Sequence, residues 1–211
     1  MDPVWTTKIS HGASRRARES VLGAMKRMSF RDPVSEYFPE SGRFEEALSA
    51  ILALYHHGGH IRWDRIPLRS LRGEATDVYA STLISSTAVL VPEYPLLHST
   101  TAQAEIWGSM RIDLLCFEPK TKSVGFIDSK LGAPFHYDET PATVQPARYL
   151  EYILHLAAPN RFFMFATSKV LFSEEGYLPL LRGVCEFSDD RRAFPHVHVI
   201  CWEDVVEALA I

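Results

Sequence analysis

Two aspartates and a lysine lie on two consecutive apolar segments of the sequence. Asp113 interrupts the run MRIDLLCF, and Asp128 ends the run SVGFID, directly before Ser129 and Lys130. An ionised carboxylate within an apolar strand is costly unless it is paired or binds a cation. These residue types therefore indicate either a metal-dependent hydrolytic site or a buried ion pair.

The spacing allows the three charged side chains to meet. Side chains alternate along a strand, so Asp128 and Lys130 project to one side of the chain and Ser129 projects to the other. A turn at EPKTK between the two runs brings Asp113 beside them. Two close carboxylates repel each other, and a divalent cation with oxygen ligands relieves that repulsion. A neighbouring lysine can orient or deprotonate an attacking water. The alternative, an Asp–Lys ion pair that only stabilises a strand end, stays open on residue types alone.

Hydrophobic periodicity predicts the elements that position these residues. Apolar, β-rich runs between turn residues are typical of buried strands, and recurrence at three and four residues is typical of helices. The predicted strands are Thr87–Leu97, Met110–Phe117, Ser123–Asp128, Arg161–Ala166 and His196–Cys201. The predicted helices are one between Gly42 and Gly58, then Glu74–Ser85, Thr140–Ala157 and Trp202–Ala210. Antiparallel strands followed by a crossover helix predict a mixed sheet with helices packed on it.

The N-terminal region has a separate character. Between Lys8 and Arg31 seven basic residues accompany one acid, Glu19, which gives +6 in a chain of net charge −4. Four apolar residues share one helical stripe in this stretch: Val21, Leu22, Met25 and Met28. We expect a basic helix that docks on the body. Three roles stay open for it: a solvated face, a phosphate-contacting arm, or a presequence, against which Asp2 counts.

Length and composition exclude several classes of protein. With 211 residues and 46% hydrophobic residues, the chain is expected to form one domain, with or without an N-terminal extension. Three cysteines without a CxxC pair argue against a disulfide framework or a zinc ribbon. No apolar run approaches the roughly 18–20 residues of a membrane span, and the start lacks a secretory signal, so a cytoplasmic protein without membrane contact is expected. The motifs G-x-x-x-x-G-K-[ST] and G-x-S-x-G are absent.

The histidines form two groups. His56, His57 and His60 surround a Gly-Gly pair and are typical of a polar loop that ends a helix. His196 and His198 alternate with valines and face the same side of a late strand. A two-histidine metal site there lacks a third ligand, so neither group is expected to bind a metal.

The order of these elements and residues resembles the PD-(D/E)xK nuclease superfamily. The segment Asp128–Lys130 matches its D-x-K element, and Asp113 matches the acid on the preceding strand. The later helix contains Gln145 and Tyr149 in a Q-x-x-x-Y element like that of RecB-like members. The resemblance covers about residues 74–201, and it departs from the family pattern at Ile112, where the family often has proline.

The resemblance implies a role for each residue of the D-x-K hairpin. Asp113 and Asp128 would ligate Mg²⁺ or Mn²⁺, together with the main-chain carbonyl of Ser129 and an acid from a helix. Lys130 would position the nucleophilic water and stabilise the charge that grows on the phosphate. Hydrolysis that leaves a 5′-phosphate is the implied outcome.

The resemblance also implies supporting residues. Gln145 and Tyr149 would steady the site or the substrate backbone. The helix acid has three candidates. Glu74 is preferred because its predicted helix directly precedes the first strand, Glu46 is second, and Glu45 on the same helix as Glu46 is third.

We therefore expect an α/β protein with a restriction-endonuclease-like core, that is, a mixed central β-sheet flanked by helices, with an N-terminal helical extension. Residues 1–65 would be the basic, helical extension and residues 66–211 the core domain. The expected function is that of a Mg²⁺- or Mn²⁺-dependent nuclease, with DNA favoured over RNA as the substrate. Two alternatives stay open: a catalytically inactive nuclease-fold protein that serves as a nucleic-acid-binding or assembly subunit, and an unrelated interaction module. A homodimer, or a partner protein bound through the extension, is also open.

Overall fold

Seven strands form one mixed sheet in the computed structural model, which describes residues 11–27, 44–71, 75–96, 110–131, 145–174, 177–186 and 196–209. The strands are β1 (Pro67–Arg69), β2 (Ala75–Tyr79), β3 (Val89–Pro95), β4 (Arg111–Glu118), β5 (Ser123–Ser129), β6 (Asn160–Thr167) and β7 (Val197–Cys201). Their order in the sheet is β2-β1-β7-β6-β5-β4-β3. Pairing is antiparallel from β3 to β5, parallel from β5 to β7, and antiparallel from β7 through β1 to β2.

Helices accompany the sheet throughout the described ranges. They are α1 (His11–Arg27), α2 (Phe44–His57), α3 (Gln145–His155), α4 (Lys169–Phe172), α5 (Tyr177–Glu186) and α6 (Trp202–Glu207), with two 3₁₀ turns at Trp63–Arg65 and Ala80–Thr82. None of these helices is long and apolar enough to cross a membrane. The chain is an α/β protein with a mixed sheet, as the sequence predicts.

The middle of the sheet is the core of the protein. β5 and β6 are buried over most of their length and lack the polar alternation of a strand with one solvated face. α2 packs on β3, β4 and β5, and α3 packs on β5 and β6. The parallel pair β5–β6 requires a crossover connection, and α3 lies within it. The last residues of β5 are therefore held by strands on both sides and by helices.

α1 is docked on the body as the sequence predicts. Its buried residues recur at helical spacing: Ala13, Ala17, Val21, Ala24 and Met25. The stripe contacts α4 and α6, which follow β6 and β7. Leu22 packs beside the stripe only partly buried, and Met28 lies outside the described residues.

The helix predicted over Glu74–Ser85 is wrong. Residues Ala75–Tyr79 form the edge strand β2, which pairs with β1, and only Ala80–Thr82 turn into a 3₁₀ segment. The physical reason is local: Thr76, Val78 and Tyr79 are β-branched or aromatic and favour a strand. The short strand β1 and the helix α5 were also not predicted from the sequence.

The expected division at residue 65 stays a prediction. α2 lies before it and packs on the sheet, and Ile61 and Trp63 belong to the same hydrophobic core as the strands. α2 is thus the helix that precedes β3, β4 and β5 and covers them.

Candidate active site

The hairpin of β4 and β5 brings the two aspartates together. The two strands pair in register from Glu118 and Ser123 to Leu114 and Ile127, so the next opposed positions are Asp113 and Asp128. Opposed residues of an antiparallel pair project from the same face of the sheet. The Asp113 carboxylate also accepts a hydrogen bond of 2.7 Å from the backbone N–H of Ser129, which closes the end of the hairpin.

Lys130 joins the aspartates from the first position after β5. Its Nζ lies 3.2 Å from Oδ1 of Asp128, and its side chain is almost entirely buried. Its backbone N–H donates to the carbonyl of Ala166 on β6 at 2.8 Å, which fixes the main chain beyond the strand end. The structure therefore places Asp113, Asp128 and Lys130 in one cluster, as the sequence predicts.

A third carboxylate reaches this cluster from α2, and it is Glu45. Its Oε1 accepts a hydrogen bond of 2.6 Å from the backbone N–H of Leu131, directly after Lys130. Glu45 is buried, whereas its neighbour Glu46 is exposed. Glu45 thus makes a hydrogen bond at the cluster, while the nearby charge of Glu46 adds to the raised pKa of Asp113. The ranking of Glu74, Glu46 and Glu45 as the helix acid stays a prediction.

The reason for preferring Glu74 does not hold. Glu74 itself lies outside the described residues, and the helix on which its ranking depended is the strand β2. The helix that precedes β3, β4 and β5 in contact with them is α2, and Glu45 is in its first turn. Glu46 lies in the same first turn, so the sequence alone does not separate the two acids; burial and the hydrogen bond to Leu131 do.

Burial and mutual repulsion dominate the electrostatics of the cluster. Burial raises the pKa of Asp128 to about 7; Lys130 opposes the rise, and Asp113 and Glu45 add to it. Burial likewise raises the pKa of Asp113, although Lys130 and the Ser129 N–H favour its ionised form. Burial alone would lower the pKa of Lys130, but the surrounding carboxylates raise it above its ordinary value. The ammonium group therefore stays charged at neutral pH.

The Asp128 carboxylate is incompletely satisfied. Both of its oxygens are buried; the Lys130 ammonium lies 3.2 Å from Oδ1, and no donor to Oδ2 is found among the described residues. A buried carboxylate in this state is costly, and an oxygen-seeking divalent cation is one partner that relieves the cost. The donor set of Asp113, Asp128 and Glu45 fits such a cation chemically. No group of three or more His, Cys, Asp or Glu side chains in the described part of the chain is already arranged as a metal centre. Coordination would therefore require these side chains to shift.

Two aromatic side chains hold the segment that carries the cluster. The Tyr177 hydroxyl, from α5, donates to Thr167 Oγ1 at 2.9 Å and lies 3.4 Å from the carbonyl of Lys130. Trp202 Nε1, at the start of α6, donates to Ser129 Oγ at 3.1 Å. Neither contact was predicted, because both partners come from distant parts of the sequence and carry no motif.

The Q-x-x-x-Y element meets the hairpin at a different point. Tyr149 is fully buried in α3, and its hydroxyl donates to the carbonyl of Arg111 at 2.5 Å, two residues before Asp113. Its ring lies edge-on to Phe126 of β5. Gln145 begins α3, and its side chain is outside what the structure describes. Tyr149 therefore braces β4, while a role for Gln145 stays a prediction.

The histidines near α2 are structural. His56 Nδ1 accepts from Trp63 Nε1 at 2.9 Å, so its Nε2 donates to the carbonyl of Ala88 at 2.7 Å. His57 Nε2 lies 2.9 Å from the carbonyl of Leu90. These bonds tie the end of α2 to β3, which agrees with the prediction that this group ends a helix.

Comparison with known proteins gives no relative. No protein-family model matches the chain, no curated protein matches it, and no solved structure matches it.

Proposed function

We propose that the protein is a Mg²⁺- or Mn²⁺-dependent nuclease that hydrolyses phosphodiester bonds of nucleic acid, with DNA favoured over RNA. The observation that carries the proposal is the carboxylate cluster of Asp113, Asp128 and Glu45 around Lys130, in which burial raises the pKa of Asp128 to about 7 although the Lys130 ammonium lies 3.2 Å away. Three carboxylates against one ammonium leave surplus negative charge, which a divalent cation would neutralise.

The order of elements supports a restriction-endonuclease-like core. α2, β3, β4, β5, α3 and β6 occur in this order along the chain, as helix, three strands, helix and strand, with the strands β1 and β2 inserted between α2 and β3. The first three strands are antiparallel and the fourth is parallel to the third. In the proposed core, the two acids lie on the second and third of these strands and the third acid lies on the first helix.

Each proposed role follows from the position of the side chain. Asp113, Asp128 and Glu45 would hold the cation, which supplies Lewis acidity and an activated water. The raised pKa of Lys130 suits an ammonium that orients the attacking water and stabilises charge on the phosphate, rather than a base. The water oxygen forms a bond to phosphorus, the bond to the 3′ oxygen breaks, and a proton passes to that oxygen. The products are a 5′-phosphate and a 3′-hydroxyl.

A non-catalytic nucleic-acid-binding subunit is the second candidate, and one observation favours it. Lys130 Nζ lies 3.2 Å from Asp128, and no metal centre is preformed among the described residues. In that case the cluster would be a structural ion pair, and the fold would bind nucleic acid without cutting it. The two candidates differ in the expected effect of replacing Asp113 or Lys130, because only a nuclease has a cleavage activity to lose.

The test measures cleavage of labelled single- and double-stranded DNA and RNA with Mg²⁺, Mn²⁺ or EDTA. We expect metal-dependent cleavage that falls at least about 10³-fold in Asp113→Ala and Lys130→Ala. Lys120→Ala, on the exposed turn between the same two strands, is the matched control and should retain activity. Binding without cleavage in the unsubstituted protein would favour the second candidate, and unchanged cleavage in both variants would refute the assignment.

We further propose that α1 contacts the phosphate backbone. Arg15 and Arg16 are exposed on it, and each is paired with one acid, Glu19 or Glu174. Deleting the helix would remove core residues, so the test replaces only these arginines. The double variant Arg15→Gln with Arg16→Gln should bind nucleic acid with a weaker salt dependence. The slope of the logarithm of the binding constant against the logarithm of the salt concentration should fall in magnitude by about 1–2. An unchanged slope would assign α1 to folding alone.

A further inference from the structure

Glu93 lies on β3, at the end of the sheet that carries the carboxylate cluster, and its backbone conformation is strained. Its φ is +52°, in the left-handed region that favours glycine. Among the described residues the other non-glycine residue with a positive φ is Lys122, which lies in the turn between β4 and β5, where this conformation is common. Glu93 instead lies inside a strand, where it interrupts the regular pairing.

The register of β3 and β4 places Glu93 opposite Asp113. The residues before and after Glu93 pair with the residues after and before the aspartate: Pro92 with Leu114 and Tyr94 with Ile112. On the other side of Asp113, the next opposed position of β5 is Asp128. Three acids on three neighbouring strands therefore follow one another across the sheet, with Asp113 in the middle.

The charges around Glu93 are mostly negative. Burial raises the pKa of Glu93, the charges of Asp113 and Glu46 raise it further, and Arg111 opposes them. The charge of Asp113 thus acts on Glu93 across the strand pair, which agrees with the register. A cation between the two carboxylates would relieve their repulsion.

The Glu93 carboxylate has no compensating partner in the part of the chain that the structure describes. It is half-buried, and no hydrogen bond or salt bridge to it is found within that part. Glu118, on β4 at the other end of the sheet, shows the contrast, because it accepts from two hydroxyls and a backbone N–H. A strained and unpaired acid is a cost that a structural role does not require, and such costs are found at functional sites.

An independent observation points to a cation at this place. Asp128 is fully buried, and its Oδ2 has no donor among the described residues. Divalent cations such as Mg²⁺ take about six oxygen ligands, of which Asp113, Asp128 and Glu45 supply only a part. A carboxylate from β3 adds an oxygen on the side of Asp113 that faces away from β5.

We propose that Glu93 is a further ligand of the divalent cation, and that β3 keeps its strained conformation to bring this carboxylate to Asp113. The cation would then be held by acids from α2, β3, β4 and β5. Glu93 acts at the proposed nuclease site, so this role rests on the proposed function. Metal binding alone tests it, because Mn²⁺ affinity is measured without nucleic acid.

The experiment measures Mn²⁺ binding through the electron paramagnetic resonance signal of free Mn²⁺, in the absence of nucleic acid. Glu93→Gln keeps the Cβ but removes the charge, and we expect it to weaken Mn²⁺ binding about tenfold. Glu93→Gly also relieves the strain, so it should unfold at a higher urea concentration than Glu93→Gln and still bind Mn²⁺ about tenfold more weakly than the unsubstituted protein. Asp77→Asn is the matched control, because Asp77 is an exposed acid on β2, the edge strand at the other side of the sheet; its Mn²⁺ affinity should be unchanged.

Two results would overturn the role of Glu93. One is unchanged Mn²⁺ affinity in both Glu93→Gln and Glu93→Gly. The other is a loss of affinity in only one of them, because both variants lack the carboxylate and a metal ligand is missing from each.

Cleavage assays separate this role from the proposed function. Mn²⁺ binding that weakens in both Glu93 variants, in a protein that cuts no nucleic acid, would support the role and refute the nuclease. Metal-dependent cleavage with unchanged Mn²⁺ affinity in both variants would refute the role of Glu93 alone. An unsubstituted protein that binds no Mn²⁺ would overturn both.

Discussion

Asp128 and Glu118 are buried carboxylates on neighbouring strands, at opposite ends of the sheet, and they differ in their hydrogen bonds. Glu118 is 3% exposed and accepts from two hydroxyls and one backbone N–H. Asp128 is 0% exposed; the Lys130 ammonium lies 3.2 Å from its Oδ1, and no donor to its Oδ2 is found in the described part of the chain. The hydrogen bond from Ser85 lowers the pKa of Glu118, whereas burial raises the pKa of Asp128. Buried polar groups are normally paired, so Oδ2 of Asp128 needs an explanation.

Glu118 has the surroundings of a carboxylate that stabilises the fold, because the chain supplies its donors and its ionised form is favoured. At the Asp128 end three carboxylates accompany one ammonium. Under the proposed function this surplus charge lowers the stability of the fold and a bound cation would restore it. Functional sites commonly carry such a cost in stability.

The largest expected effect distinguishes the two acids at the start of α2. Glu45→Gln keeps an oxygen that can accept from the Leu131 N–H but loses the charge, so we expect metal-dependent cleavage to fall by about 10²–10³-fold. Glu46→Gln is the matched control, because its side chain is exposed and one residue away; we expect a loss below about tenfold. The measurement is kcat/KM with Mn²⁺. A fully active Glu45→Gln beside an inactive Glu46→Gln would reverse the assignment.

The middle of β5, between the two carboxylates, has no space for a side chain at Gly125. A Cβ there would overlap the ring of Phe162 on the neighbouring strand β6. We expect Gly125→Ala to lower the free energy of unfolding by about 3 kcal/mol, measured by chemical denaturation. Adding Phe162→Leu should recover part of the loss, because the smaller side chain gives room. A stable Gly125→Ala protein would show that the ring moves freely.

Opposite changes in stability are expected when the two buried carboxylates are neutralised. In EDTA, Asp128→Asn relieves surplus charge and should raise the free energy of unfolding by about 1 kcal/mol. Glu118→Gln turns an amide N–H₂ toward groups that donate to the carboxylate, so it should lower that free energy by about 1–2 kcal/mol. Urea denaturation measures both changes in the free energy of unfolding. A loss of about 3–5 kcal/mol in Asp128→Asn would instead identify a structural ion pair with Lys130.

The side chains that surround Asp128 can be predicted from the sequence better than those that surround Glu118. Alternation along two apolar strands and one turn is enough to bring Asp113, Asp128 and Lys130 together, because the spacing is local. Glu74 was preferred as the helix acid because the strand β2 was interpreted as a helix, and the sequence did not distinguish Glu45 from Glu46 in the first turn of α2. The strand propensity of Thr76, Val78 and Tyr79 was outweighed in the sequence interpretation by an apolar helical spacing, and the pairing with β1 is a contact that the local pattern does not contain.

The remaining contacts depend on long-range packing. Tyr177 and Trp202 reach the cluster through α5 and α6, and no spacing in the sequence relates them to Asp128. The surroundings of Glu118 have the same character, because Ser85 and Thr87 reach it from before β3 and no spacing in the sequence relates them to it.

The smallest expected effect is on the pH dependence of stability, to which His56, near Glu118, and Asp128 contribute in opposite directions. Burial lowers the pKa of His56 below its usual 6.5, and His57 lowers it further, while the Ala88 carbonyl and Glu118 oppose this. The unfolded chain therefore takes up a proton first as the pH falls below about 6.5, and stability is lost in that window. The raised pKa of Asp128 acts in the opposite sense, because its protonated form is favoured in the folded state and stability increases as the pH falls toward 4.

The unsubstituted protein should lose less than about 1 kcal/mol of its free energy of unfolding through His56 between pH 7 and pH 5.5, and His56→Gln should remove this loss. The measurement is urea denaturation in EDTA, and His155→Gln should leave the pH profile unchanged. Identical profiles for His56→Gln and the unsubstituted protein would show that His56 takes up its proton equally in both states.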